Sequence, residues 1–103
     1  MINIPIEAIP NQKFGVRVEG TRWEFEIKAI EGSVAVTIYR DDVLVLAGMR
    51  ATAGTPLIPY QYLERGNFIF VTENDEVPHW SLFGTTQSLQ YITIGELETL
   101  RYE

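Results

Sequence analysis

The chain has 103 residues, and its 8 Lys+Arg against 14 Asp+Glu give it a formal net charge of −6. This acidic balance argues against binding to nucleic acid or to an anionic membrane surface, because both need clustered Lys and Arg. Cysteine is absent, which excludes disulfides, thiolate nucleophiles and cysteine-ligated metals. The length predicts one domain over residues 1–103, with 95–103 as a possible tail. We expect neither a signal peptide nor a spanning helix, so the protein is expected to be soluble.

The first predicted elements are two strands that flank a turn at Gly20. Phe14, Val16 and Val18 alternate with polar or small residues, and residues 23–29 continue the same period of two. Strict alternation is typical of a strand with one buried face. Gly20 tolerates the positive φ that a tight hairpin turn needs. The N-terminal third therefore predicts a β-hairpin.

The next pair of predicted strands is joined at residues 40–42. Residues 34–39 alternate, whereas residues 43–47 form a continuous apolar run, Val-Leu-Val-Leu-Ala. A run of this length is typical of a strand that is buried on both faces. In a domain this small, the second face is covered either by the same chain or by another subunit, and both alternatives stay open.

The C-terminal half contains shorter elements between irregular segments. Prolines and glycines predict irregular structure over residues 50–59, and residues 68–72 and 88–94 are predicted strands. Residues 95–103 are expected to form one helical turn or a loosely held tail. Together the pattern predicts an all-β fold, a small antiparallel β-barrel or β-sandwich with a possible short C-terminal helical turn.

The only histidine, His79, is the first candidate for catalysis. It could act as a general base for Ser81 or Thr85, with Asp75 orienting the ring. Such triads are defined by geometry, and closeness in sequence says little about it. We therefore favour a loop histidine stacked beside the neighbouring Trp80.

Carboxylates offer two weaker candidates. The acidic loop over residues 73–76 could supply oxygen ligands to Ca²⁺, although it lacks the spacing of an EF-hand loop. Glu24 and Glu26 resemble a glycosidase pair only superficially, since they alternate with Arg22 and Lys28 along one strand face. A solvated turn and a mixed-charge surface stripe are the preferred interpretations. No phosphate-binding glycine motif occurs, so we expect no catalysis, no metal and no cofactor.

An ordered set of short motifs nevertheless identifies a family. The set is listed here in chain order: Ile4-Pro5-Ile6, Asn11-Gln12 with Phe14, Gly20, Trp23-Glu24-Phe25, Leu46-Ala47-Gly48 with Arg50, Pro56-Leu57-Ile58, Tyr62-Leu63, Gly66-Asn67-Phe68, Phe83-Gly84-Thr85-Thr86-Gln87, Leu89 and Tyr91. No single motif is specific, but the series resembles the small baseplate plug proteins of contractile-tailed bacteriophages. The resemblance extends from about Ile4 to Ile94.

The resemblance implies a structural virion protein of the tail baseplate, synthesised in the host cytoplasm. It implies a compact all-β domain on the tail axis that packs against hub and tail-tube proteins in a hetero-oligomeric assembly. The residues themselves suggest which surfaces make contact, because exposed aromatic and aliphatic side chains often dominate interfaces. The candidate partner interface comprises Val43, Val45, Tyr60, Tyr62 and Trp80. The alternative function is a small non-enzymatic β-barrel that binds a peptide or a small ligand.

Overall fold

The computed structural model describes residues 1–58 and 66–101, the last two of these by their backbone only. Tyr60 and Tyr62 of the candidate interface lie outside the described residues. The helices and strands of the described part are β1 (Ile2–Ile4), β2 (Asn11–Val18), β3 (Thr21–Ile30), β4 (Ser33–Arg40), β5 (Val43–Arg50), β6 (Asn67–Thr72), two 3-10 turns (Glu73–Asp75 and Trp80–Leu82), β7 (Gln87–Ile92) and α1 (Ile94–Arg101).

The strands form two antiparallel sheets, with orders β1-β7-β6 and β2-β3-β4-β5. The all-β prediction is confirmed. Hydrogen bonds between strands do not close the sheets into a barrel within the described ranges, so the architecture fits the sandwich alternative. Both sheets contribute to one core, since the ring of Phe68 in β6 lies 4.9 Å from Trp23 and 4.7 Å from Phe25 in β3.

The four-stranded sheet follows the local pattern of the sequence. Two-residue turns join β2 to β3 and β4 to β5, and both residues of each turn have positive φ: Glu19 50° and Gly20 79° in the first, Asp41 48° and Asp42 67° in the second. Turns of this kind match the right-handed twist of the strands that they join. The resulting register buries Trp23 and its alternate neighbours of β3 on one face of the sheet.

Strand β5 departs from the prediction made for its apolar run. It lies at the edge of the sheet, and Val43 and Leu44 are 65 % and 53 % exposed. Its register against β4 shifts on both sides of the pair Ile38–Leu46, and each shift inserts one extra residue into β5. Burial of this run on both faces by the chain itself is therefore wrong, because two β-bulges, and not two-sided burial, interrupt the alternation.

The free edge of β6 is covered by the segment that follows β5. The amide of Gly54 donates to the carbonyl of Phe70 at 2.9 Å, and that of Leu57 donates to Phe68 at 2.8 Å. Asn67 is fully buried and continues this pairing with its side chain. Its Oδ1 accepts from the amide of Ile58 and its Nδ2 donates to the carbonyl of Ile58, both at 2.9 Å.

Helix α1 confirms the expected C-terminal helical element and, with 8 residues, is longer than the single turn that was predicted. Thr93 and Glu96 form a reciprocal capping box: each backbone amide donates to the other side chain, at 3.1 and 3.2 Å. Leu97 is buried against Ile69 and Ile92 on the outer face of the three-stranded sheet. The second carboxylate oxygen of Glu96 lies 2.7 Å from the N-terminal ammonium. No described helix has the length and apolar character needed to cross a bilayer.

Candidate partner-binding surfaces

The first surface is the edge formed by the N-terminal half of β5. Val43 and Leu44 are exposed, whereas Val45 is half-buried and packs against the core. Val43 is paired with Arg40, whose guanidinium lies 5.8 Å from the ring centre of Trp23. The fold therefore exposes two neighbouring apolar side chains at the edge of the sheet. Val43 and Val45 share this edge, and Leu44 is an exposed neighbour that the sequence-based selection omitted.

Trp80 belongs to a different part of the surface. It is half-buried against the core, and its ring stacks on His79 with centroids 5.5 Å apart. The segment is anchored through Pro78, whose carbonyl accepts from the Ser33 hydroxyl at 3.2 Å. Ser33 begins β4, whereas Val43 pairs with the residue that ends it. The segment that carries Trp80 is therefore anchored at the start of β4, whereas Val43 lies beside the end of β4.

The contacts of His79 have a structural explanation. Its Nδ1 lies 2.8 Å from the Ser81 hydroxyl and accepts from the Ser81 amide at 3.2 Å, which caps the 3-10 turn. The His79 amide donates to the side chain of buried Gln87 at 2.8 Å. Thr85 is the other residue for which His79 was considered as a general base, and its hydroxyl donates to the carbonyl of Leu82 at 2.9 Å. The ring therefore orders a turn, as the stacked-loop interpretation predicts.

Glu24 and Glu26 are engaged with their basic neighbours on the outer face of β3. Arg22 pairs with Glu24 at 3.1 Å and Lys28 pairs with Glu26 at 2.9 Å. The hydrogen bond and charge of Lys28 lower the pKa of Glu26, whereas a general acid at neutral pH needs a raised one. The mixed-charge stripe is confirmed. Over residues 1–58 and 66–101, no three His, Asp or Glu side chains form a cluster that could hold a metal ion.

A second surface, which sequence reasoning missed, is an open groove between β2 and the chain that leads into it. It has a volume of about 430 Å³ and is lined by Ile4–Glu7 on one side and Gln12–Val16 on the other. Phe14 and Val16 face it while remaining half-buried. The alternation of β2 predicted their inward direction, but only the tertiary structure shows that they line an open edge.

Comparison with known families gives a match over most of the chain. The family model described as the cyanophage baseplate Pam3 plug gp18 matches residues 1–95. This chain belongs to that family. The resemblance drawn from the ordered motifs is therefore confirmed. No curated protein matches the chain.

Membership of a baseplate plug family implies a structural component of a phage tail that associates with other baseplate proteins. It also suggests a role without catalysis, in keeping with the structural contacts of His79 and the paired carboxylates of β3. The matched range ends at Gly95, so most of helix α1 lies beyond it.

Proposed function

We propose that this protein is a baseplate plug that sits on the tail axis, packs against hub and tail-tube proteins, and helps to close the channel until the tail contracts. It is made in the host cytoplasm and then joins the virion. The observation that carries the proposal is the family match over residues 1–95. The exposed edge of β5 supports it, because a structural component needs surfaces that its neighbours can cover.

The chemistry of the β5 edge suits a permanent contact. Val43 is 65 % exposed and Leu44 is 53 % exposed. Covering apolar surface stabilises a complex by about 25 cal/mol per Å². Val43 and Leu44 pair regularly with Arg40 and Tyr39, but the two bulges interrupt the ladder immediately beyond them. A partner therefore gains more from packing on these side chains than from pairing with the backbone of β5.

The net charge of −6 supports a location beside a channel that later passes DNA. An acidic surface repels phosphate, so the protein would not retain a DNA molecule that moves past it. In a protein this acidic, a basic side chain that forms no ion pair marks a surface that can contact an acidic group of another molecule.

The function is tested by mass spectrometry of purified tails, followed by complementation with variants. We expect the protein at a fixed ratio to hub and tube proteins, and we expect a Val43→Asp/Leu44→Asp variant to lower incorporation at least tenfold. The matched control is Val77→Asp, since Val77 is 55 % exposed in a loop. Thermal unfolding of the isolated variants verifies that both remain folded.

Two outcomes have separate meanings. Absence of the protein from intact tails contradicts the proposed function. Normal incorporation of the folded double variant contradicts the β5 contact while leaving the function in place. In a separate experiment, a photo-reactive residue at position 44 of the otherwise unchanged protein identifies the neighbour of β5. We expect its cross-links to reach hub or tube protein.

A further inference from the structure

Strand β2 has a regular free edge. The amide of Ala29 donates to the carbonyl of Pro10 at 2.8 Å, which marks this pair as hydrogen-bonded. Along an antiparallel ladder, hydrogen-bonded pairs recur at every second residue. The even-numbered residues of β2 therefore bond to β3, and the amides and carbonyls of Lys13, Gly15 and Arg17 point away from the sheet.

The open groove lies beside this edge and offers apolar surface. Phe14 and Val16 are half-buried in it, Ile4 is buried at its floor, and Ile6 packs from the other wall. Gln12 closes one end, because its side chain accepts from the amide of Glu7 at 3.1 Å and donates to its carbonyl at 2.8 Å. The groove is thus held open beside backbone groups that can pair with an added strand.

The charges along this edge are positive in an acidic protein. Lys13 and Arg17 are exposed on the outer face of β2, on either side of Gly15. Neither forms an ion pair with any described residue, although Lys13 contributes to the lowered pKa of Glu26. One carboxylate, Glu7, lies at the closed end of the groove. An incoming strand would meet two basic side chains on its outer face.

We infer that this groove binds an extended segment of a partner protein by strand addition, and that the segment alternates apolar and acidic residues. Its backbone pairs with Lys13, Gly15 and Arg17. Its apolar side chains cover Phe14 and Val16, while its acidic side chains lie beside the two basic ones. This mode of binding combines backbone hydrogen bonds for affinity with alternate side chains for specificity.

The other edges of the described part are less suitable for such pairing. The bulges of β5 interrupt its ladder, the segment over residues 53–58 covers β6, and β1 has 3 residues. The inferred site is separate from the β5 contact of the proposed function, and its test needs no phage tail.

The experiment uses the full chain and three fluorescein-labelled eight-residue peptides, with alternating Val/Glu, Val/Lys or Ser/Glu. We expect the Val/Glu peptide to bind at least tenfold more tightly than the other two, measured by fluorescence anisotropy. Amide resonances of residues 13, 15 and 17 should shift on binding. The charge reversal Lys13→Glu/Arg17→Glu should reverse the preference in favour of the Val/Lys peptide.

A matched pair of variants tests backbone pairing. Gly15→Pro removes an amide that no intrachain ladder bond uses, and proline is tolerated at strand edges, so binding should weaken at least tenfold. Gly15→Ala keeps the amide, and its added carbon would make ordinary contacts, the nearest with the carbonyl of Trp23 at 3.7 Å. We expect its affinity to stay within twofold of the parent. If Gly15→Pro does not fold, the charge reversal decides.

Several results would overturn the inference. Absence of peptide binding at millimolar concentration would remove the site, and resonance shifts confined to β5 would place binding elsewhere. Binding that is unchanged in folded Gly15→Pro would exclude strand pairing. If the protein dimerises and Gly15→Pro abolishes the dimer, the occupant of the groove is a second copy of this chain and not a partner segment.

Discussion

Replacing Asn67 by Ala should be among the most damaging single changes in the molecule. The side chain is fully buried, and Oδ1 also accepts from the amide of Phe68 at 2.8 Å. Together with both backbone groups of Ile58, three buried polar groups lose their partner in Asn67→Ala. Each such loss costs about 1–3 kcal/mol, so the free energy of unfolding should fall by about 3–9 kcal/mol.

Urea denaturation followed by tryptophan fluorescence measures this loss. A domain of this size is stabilised by about 5–15 kcal/mol. With a slope of about 1.3 kcal/mol per M of urea, a loss of 3 kcal/mol lowers the midpoint by about 2 M. Asn3→Ala is the control, because Asn3 is exposed and accepts from Gln90 at 3.0 Å. A decrease below about 1 kcal/mol for Asn67→Ala would refute the reasoning that these buried bonds hold residues 58 and 67 together.

Three further changes test other contacts. Gly66 has a φ of 91°, and an added Cβ would overlap the ring and hydroxyl of Tyr91. Gly66→Ala should therefore lower the free energy of unfolding by about 2–5 kcal/mol in the same denaturation assay. A loss under about 1 kcal/mol would contradict this packing. Burial, together with the hydrogen bond and charge of Glu19, raises the pKa of Tyr91 to about 12, so its stabilisation is complete below pH 10 and is lost as the pH rises through 12. Ultraviolet titration of Tyr91→Phe should lack the component near pH 12, and its persistence would assign it to another tyrosine. The N-terminal ammonium and the Thr93 amide lower the pKa of Glu96, so its contribution is present above the unfolded value of 4.5 and is lost as the pH falls through the lower folded value. Glu96→Gln keeps the cap and should remove this part of the acid dependence of thermal unfolding, whereas an unchanged profile would show that the pair adds no stability.

The sequence predicted best where structure depends on near neighbours. The hairpins of the four-stranded sheet join strands that are adjacent in the chain, and alternation together with turn residues such as Gly20 is sufficient to place them. The direction of Trp23 into the core follows from the same period. The resemblance also identified the family, because ordered motifs retain information that composition lacks.

What the sequence did not predict depends on contacts between distant residues or on local irregularity. The approach of Gly66 to Tyr91 and the pairing of Asn67 with Ile58 require the whole fold. The bulges of β5 look in sequence like a buried run, since one inserted residue shifts the period. The capping box of Thr93 and Glu96 was a readable local signal, Thr-x-x-Glu, that could have extended the expected turn into a helix.

The two bulges of β5 also bear on how the free protein avoids self-association. A flat apolar edge strand is a template for fibril growth, and natural proteins often interrupt such edges with inserted residues. Deleting Gly48, which has a φ of 61° near the second register shift, would remove one of the two bulges and lengthen the regular part of the strand that can stack. We therefore expect the two bulges to disfavour edge-to-edge pairing between free copies of the protein.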